Sequence, residues 1–345
     1  MRMFTVWLPT AFPLSFWRSG LLQSPSLIAV LLAGLPCPAP ASYAGDRPLV
    51  EVFRDEFQGG YHFTLGNSTY TGSMAPGNRT AIELDPGLPE GASIRFARLY
   101  LYWAWSGQGQ LPVHPNITVS APGYGPLPLI HRYLDNKGFA SKNDFYSGMD
   151  AYDPPPLSPA VQSIVITAEN TAPGNRTFVI QGAGLLVAYE KAGLPRVHLR
   201  IHEGADLLYS SYGITPAMAT SRISLEGTIP VGSAEKATLL LVAPSGGYTR
   251  SGIVGMNRLL VNRAADSHLP PFLEALVSLL FPSATGKEWT DIFDSDELVQ
   301  VGIEKREITP FLREKDNVIA VQDSGDYLIL TNSILELRLR GEGSL

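Results

Sequence analysis

Three groups of side chains in this chain have the types and spacing to do chemistry. Asp291, Asp294, Asp296 and Glu297 crowd one short segment. Calcium draws its ligands from oxygen-rich stretches of this kind. Asp294 and Asp296 are also the pair a hydrolase would need if they faced each other across a cleft. A second group, Tyr100, Tyr102, Trp103 and Trp105, offers aromatic faces on which sugar rings could stack. The third is His198, Arg200 and His202, which strand alternation puts on one face. At about 3.3 Å per residue the two histidines stand roughly 13 Å apart. Zinc holds nitrogen at about 2.0–2.1 Å, so they cannot share an ion, and a solvated strand face is expected.

Each group also has a plain structural use. Acids in turns accept hydrogen bonds from nearby backbone. Asp135-Asn136-Lys137-Gly138 with Asp144, Asp150 and Asp153 forms a polar stretch, and Asp323-Ser324-Gly325-Asp326 forms a turn. None of these acids follows the twelve-residue calcium-loop spacing. In the aromatic stretch, alternation sends Leu99, Leu101, Trp103 and Trp105 to one face and Tyr100, Tyr102 and Ala104 to the other. The matching place in the second half carries Leu239, Leu240, Leu241 and Val242, so bulk rather than aromatic faces is what the fold requires there.

Catalytic signatures are missing. There is no nucleophile-elbow serine motif and no metalloprotease helix motif. Gly182-Ala183-Gly184 lacks the third glycine of a dinucleotide loop and reads as a tight turn between strands 177–181 and 184–190. The expectation is a protein that is not an enzyme and has no cofactor, with structural calcium at Asp291, Asp294, Asp296 and Glu297 as the alternative.

The elements that must position these residues come in two copies. Leu88-Pro89-Glu90-Gly91 leads into Ala97–Tyr102 and closes at Ser106-Gly107. Ile229-Pro230-Val231-Gly232 leads likewise into Ala237–Val242 and Ser245-Gly246. Phe178–Gln181 with Leu185–Val187 matches Tyr327–Leu330 with Ile334–Glu336. The 33 glycines and 28 prolines punctuate short apolar or alternating runs, a sandwich pattern. The expected fold is all-β: two tandem antiparallel β-sandwiches, jelly-roll or immunoglobulin-like, over 45–193 and 194–345. One short helical insertion is expected in the second, over 272–281 between Pro270-Pro271 and Pro282.

Residues 1–44 read as a signal peptide: Arg18, an apolar run over Leu27–Leu35, then Ser42-Tyr43-Ala44 or Ala39-Pro40-Ala41 as a cleavage site. That run is shorter than the roughly 20 residues of a membrane span, so no transmembrane anchor is expected after cleavage. Cys37, the one cysteine of the 345 residues, leaves with the leader, so no disulfide supports the fold. A formal net charge of −6 with no basic run argues against nucleic acid as a partner. Four Asn-x-Ser/Thr sequences, at Asn67, Asn78, Asn116 and Asn175, all fall in the first copy and are candidate glycosylation sites.

Several segments in order carry a family resemblance. They are Ala97-Arg98-Leu99-Tyr100 with Trp103, Gly184–Glu190, and Glu203-Gly204-Ala205-Asp206 with Tyr212–Pro216. Val301-Gly302-Ile303 with Glu307-Ile308-Thr309, and Gln322–Tyr327, complete the set. Across most of the exported chain it resembles the domain-of-unknown-function 3344 family, exported β-rich surface proteins of methanogenic archaea and some bacteria. The resemblance implies a secreted or cell-surface sandwich protein and brings no catalytic residues. Within it, the Glu203–Asp206 turn at the junction of the copies is the best candidate for a family-specific site. The function expected is a non-catalytic structural or adhesion protein of the surface or extracellular space. Its partners would be other envelope proteins, itself, or surface glycans. A pair of carbohydrate-binding modules is the first alternative and a secreted hydrolase the second.

Overall fold

Runs of β-branched, leucine and aromatic residues cut by glycine and proline favour short strands over helices, and strands account for nearly all the regular structure. The computed structural model describes residues 45–138, 145–247, 257–263, 277 and 279–341. The expected signal peptide lies outside them, as does most of the expected helix. Val277, Leu279 and Leu280 are helical, but Pro282 does not end the structure there: it opens a further short helix, α1 (Pro282–Thr285).

The first half runs β1 (Val50–Thr64), β2 (Ser73–Met74), β3 (Arg79–Leu84), β4 (Ser93–Gln108), β5 (Leu111–Pro112), β6 (Ile117–Ala121), β7 (Gly125–Pro126), β8 (Leu129–Asp135), β9 (Tyr146–Tyr152), β10 (Ile164–Asn170) and β11 (Arg176–Glu190). The second runs β12 (Arg196–Leu208), β13 (Thr220–Leu225), β14 (Ala234–Pro244), β15 (Asn257–Val261), β16 (Lys287–Thr290), β17 (Val301–Glu307), β18 (Asn317–Asp323) and β19 (Leu328–Leu339).

Pairing order identifies the topology. In the first half β1-β11-β4-β9 lie side by side in one sheet and β3-β10-β6-β7 form another. In the second half the same places are taken by β12-β19-β14-β17 and β13-β18-β15-β16. In each half eight of the described strands lie antiparallel in jelly-roll order, which decides against the immunoglobulin-like alternative. The repeat seen in the sequence is a repeat of topology.

The two first strands, β1 and β12, pair antiparallel and join the halves into one sheet, β17-β14-β19-β12-β1-β11-β4-β9-β8. One face of each half packs on its own small sheet: Leu99, Leu101 and Leu185 against Ile82 and Ile166, and Leu239, Leu241 and Leu335 against Ile223 and Ile319. The opposite faces meet each other. Tyr100, Tyr102, Met149 and Leu186 from the first half share a buried cluster with Leu199, Ile201, Leu240, Val242 and Ile334 from the second. Four layers result, and β11, β12, β14 and β19 of the long sheet are buried on both faces over most of their length.

Two expectations change in consequence. The expected Gly182–Gly184 turn does not exist; β11 runs straight through it, with a register shift between Ile180 and Gly182. The glycines are there for closeness: a Cβ on Gly184 would lie 2.9 Å from the Tyr102 hydroxyl, and one on Gly182 2.9 Å from Val301. His198, Arg200 and His202 share a face as expected, but that face is buried. Arg200 donates to the Glu226 carbonyl at 2.7 Å and lies 3.5 Å from Glu51, which is also 3.8 Å from His202.

Candidate functional site: the polar seam between the copies

Where the inner faces meet, a seam of polar side chains continues the apolar layer. Val197, Leu199 and Ile201 of β12 point into that layer, and period two sends Glu203 the same way. A carboxylate cannot be buried there without donors. They come from the other copy: Tyr100 donates to Glu203 Oε1 at 2.9 Å and Tyr133 to Oε2 at 3.0 Å, while Arg98 Nε lies 3.4 Å from Oε1. Beside them Tyr102 donates to Asn332 Oδ1 at 2.9 Å. Burial, reinforced by Glu203, raises the Tyr100 and Tyr102 phenols well above their ordinary value, so both stay protonated donors.

The Glu203-Gly204-Ala205-Asp206 segment is not a turn. It lies inside β12, whose pairing with β19 jumps between Glu203 and Asp206. This bulge ends the apolar run and aims Asp206 at a second cluster. Lys137 Nζ sits 3.1 Å from Asp206 Oδ1 and 2.6 Å from Asp135 Oδ2, and it also bonds Asp46. Asp135 Oδ2 further accepts the Leu207 N–H at 2.9 Å. Burial works against the Lys137 ammonium, but the Asp206 and Asp135 carboxylates outweigh it and raise its pKa. Burial lifts Asp206 to about 6 against the pull of Lys137. The ligand oxygens of Asp46, Asp135 and Asp206 lie within 4.8 Å of one another, close enough for a metal, but the Lys137 ammonium stands among them and bonds all three.

A third internal tie fixes Asp150. Arg132 grips it with Nε–Oδ1 at 2.7 Å and Nη2–Oδ2 at 2.6 Å, Trp103 Nε1 donates at 3.0 Å and Tyr152 at 3.1 Å. A cavity of about 460 Å³ borders the seam, lined among others by Asp46, His131, Arg132, Tyr133 and Glu203. At the opposite end the layers part into a cleft of about 590 Å³ between Tyr61 and Tyr189 on one side and Lys236, Lys305, Glu336 and Arg338 on the other.

Against this geometry the expected sugar platform fails. Tyr100, Tyr102 and Trp103 are fully buried and hold the seam or Asp150, so no sugar ring can reach them. Trp105 alone is exposed, at 39%. The expected calcium set fails as well: among the described residues Asp291, Asp294, Asp296 and Glu297 do not converge as a ligand group. Asp296 instead caps its own turn, accepting the Leu298 and Val299 N–H groups at 2.7 and 2.8 Å. Asp323 and Asp326 likewise receive backbone donors from Gly325 and Tyr327. Asn67, Asn78, Asn116 and Asn175 are all exposed.

Arg98, Tyr133, Lys137, Asp46 and Asn332 were not read from the sequence as site residues. Glu203 carried the one available signal, a carboxylate at a period-two position otherwise filled by core residues.

A model of a family described as a protein of unknown function, DUF3344, matches residues 42–338. The chain belongs to the DUF3344 family. No curated protein matches this DUF3344 chain. Among solved structures, it is similar to the major capsid protein P2 from bacteriophage PM2, at 10% identity and a TM-score of 0.22, over 85% of this chain and 100% of that one. So low a score bears on neither fold nor function. Among the described residues, no helix is long and apolar enough to cross a membrane.

Proposed function

We propose that this DUF3344 protein is an exported, non-catalytic structural or adhesion component of the cell surface or extracellular space. One observation carries the reading: buried residues suited to acid–base work are used up as internal ties, those of Glu203 and Asp206 running between the copies. Glu203 accepts from two tyrosines with Arg98 beside it, Asp150 is held by Arg132, Trp103 and Tyr152, and Asp135 and Asp206 share Lys137. A general acid or base needs a free lone pair or proton aimed at a substrate, and groups held in this way offer little of either. The sequence supplies the leader, the cysteine-free exported chain and the four sequons, whose asparagines are exposed. Partners consistent with the reading are other envelope proteins, further copies of this chain and surface glycans.

The test uses the mature protein purified from its native host. Light scattering and negative-stain imaging across concentrations should reveal assemblies, recovered from the cell-surface or extracellular fraction. A monomer at every concentration that turns over a polysaccharide, with turnover abolished by Glu203→Gln, would replace this reading with the hydrolase.

A further inference from the structure

Trp105 stands apart from the three aromatic residues before it. A bulge in the pairing of β4 with β9, between Trp103 and Ser106, breaks the alternation and turns its ring outward. There it begins a row of rings drawn from distant segments. Trp105 lies 6.2 Å from Tyr327, Tyr327 lies 5.8 Å from Tyr209, and Tyr209 lies 6.0 Å from Tyr212, with ring planes inclined by 47°, 69° and 68°. Trp105 belongs to the first copy and the tyrosines to the second, so neither copy has this row alone.

Two features separate the row from ordinary surface packing. Its exposed ends, Trp105 and Tyr212 (61% exposed), both hold left-handed backbone, at φ 53° and 51°. Large side chains rarely adopt that conformation, and it concentrates at functional sites. The bulge is not imposed by the fold, because β14 at the equivalent place in the second copy pairs with β17 in unbroken register through Pro244. A tryptophan there is a choice the fold does not require. The row is also pre-positioned from beneath. Buried Ser147 Oγ accepts the Trp105 N–H at 3.2 Å and bonds the Tyr327 hydroxyl at 3.0 Å, while Tyr209 and Tyr327 pack on Ala205, Leu207 and Ile329.

We propose that Trp105, Tyr327, Tyr209 and Tyr212 form a binding strip for a neutral oligosaccharide. Aromatic faces are electron-rich and attract the weakly positive C–H faces of pyranose rings. Rings inclined to one another suit a ligand whose successive units turn about their linkages. None of the four side chains is charged, which selects against uronate or sulfated chains. Nucleic acid, whose bases also stack, would need cations for its phosphates. The proposal goes beyond the scaffold reading and stands or falls separately from it.

Cellohexaose, N-acetylchitohexaose and mannohexaose, titrated into the mature protein by calorimetry and tryptophan fluorescence, provide the test. At least one should bind and shift the emission. Trp105→Ala and Tyr212→Ala should each weaken it about tenfold or more, the size of one lost aromatic stack, with melting temperature unchanged. Trp105→Phe should retain most of the affinity, marking the ring rather than the fold as the cause. No binding by any of the three sugars, or binding that survives both alanine substitutions, would overturn the proposal. So would deca-proline occupying the strip where the sugars do not. Light scattering on the same samples keeps the assembly question apart, since loss of sugar binding with assembly intact rejects this proposal alone.

Discussion

Strands β4 and β14 occupy the same place in the two jelly rolls, and their two faces have diverged differently. Facing its own small sheet, each strand presents leucines, Leu99 and Leu101 in one and Leu239 and Leu241 in the other. Facing the seam, β4 presents Tyr100 and Tyr102 where β14 presents Leu240 and Val242. At its bulge β4 turns Trp105 outward, where β14 keeps unbroken register with β17. The outer face answers only to the sandwich core, which needs apolar volume in either copy. The inner face answers to the partner copy. A duplicated unit joined face to face has no reason to keep both inner faces alike, and here one supplies hydroxyl donors while the other supplies the acceptors Glu203 and Asn332.

Substitutions that erase this asymmetry should cost stability in a definite order. Lys137→Met should be worst, because Asp135 and Asp206 would stay buried with no cation between them; a loss of about 3–5 kcal/mol is expected from broken buried pairs. Chemical denaturation monitored by circular dichroism would measure it. Making β4 resemble β14, by Tyr100→Leu with Tyr102→Val, should come next, since it removes one donor each from Glu203 and Asn332 and also opens space. Tyr102→Phe alone isolates one hydrogen bond and should cost about 1–3 kcal/mol, the penalty for a stranded buried acceptor. Trp105→Ala should be smallest, within about 0.5 kcal/mol, as for a surface position. If Tyr102→Phe proved as mild as Trp105→Ala, the seam would not be holding the copies together.

The response to pH should reveal opposing groups. Burial lowers His202 to about 4 and leaves it neutral in the fold, with Glu51 only partly offsetting that. The unfolded chain takes up a proton at this histidine between its ordinary pKa near 6.5 and that lowered value, so its share of stability falls as pH drops through the window. Asp206 and Asp326, both raised by burial to about 6, act the other way: the fold keeps their protons where the unfolded chain has lost them, and stability falls as pH rises toward 6. His202→Gln should therefore gain on the parent protein as pH falls from 7 to 5, read as the difference between their melting temperatures. An unchanged difference would place His202 in solvent.

Much of this architecture is legible in the sequence, because repeated short-range patterns record it. The matched segments at Ala97–Tyr102 and Ala237–Val242 lie in equivalent strands, and alternation assigns Tyr100 and Tyr102 to the face opposite Leu99 and Leu101. What alternation cannot report is whether the second face meets water or protein. His198, Arg200 and His202 therefore read as solvated and are buried, while the tyrosines read as a possible platform and are internal. Trp105 escapes for another reason: a bulge shifts the period by one residue, and nothing local in Trp103-Ala104-Trp105 announces it. Lys137 with Asp206 and Tyr102 with Asn332 join residues far apart in the chain, which no spacing rule can pair. Strand β9 carries little strand signal of its own, because Gly148 and Asp150 interrupt its apolar run.

The two jelly rolls share one buried layer and should therefore unfold as one. Differential scanning calorimetry on the mature protein, with Glu203→Ala alongside, tests it most directly. A single transition is expected, with calorimetric and van't Hoff enthalpies in agreement and the whole peak moved down by the substitution. Two resolved transitions, only one of them shifted by Glu203→Ala, would contradict it.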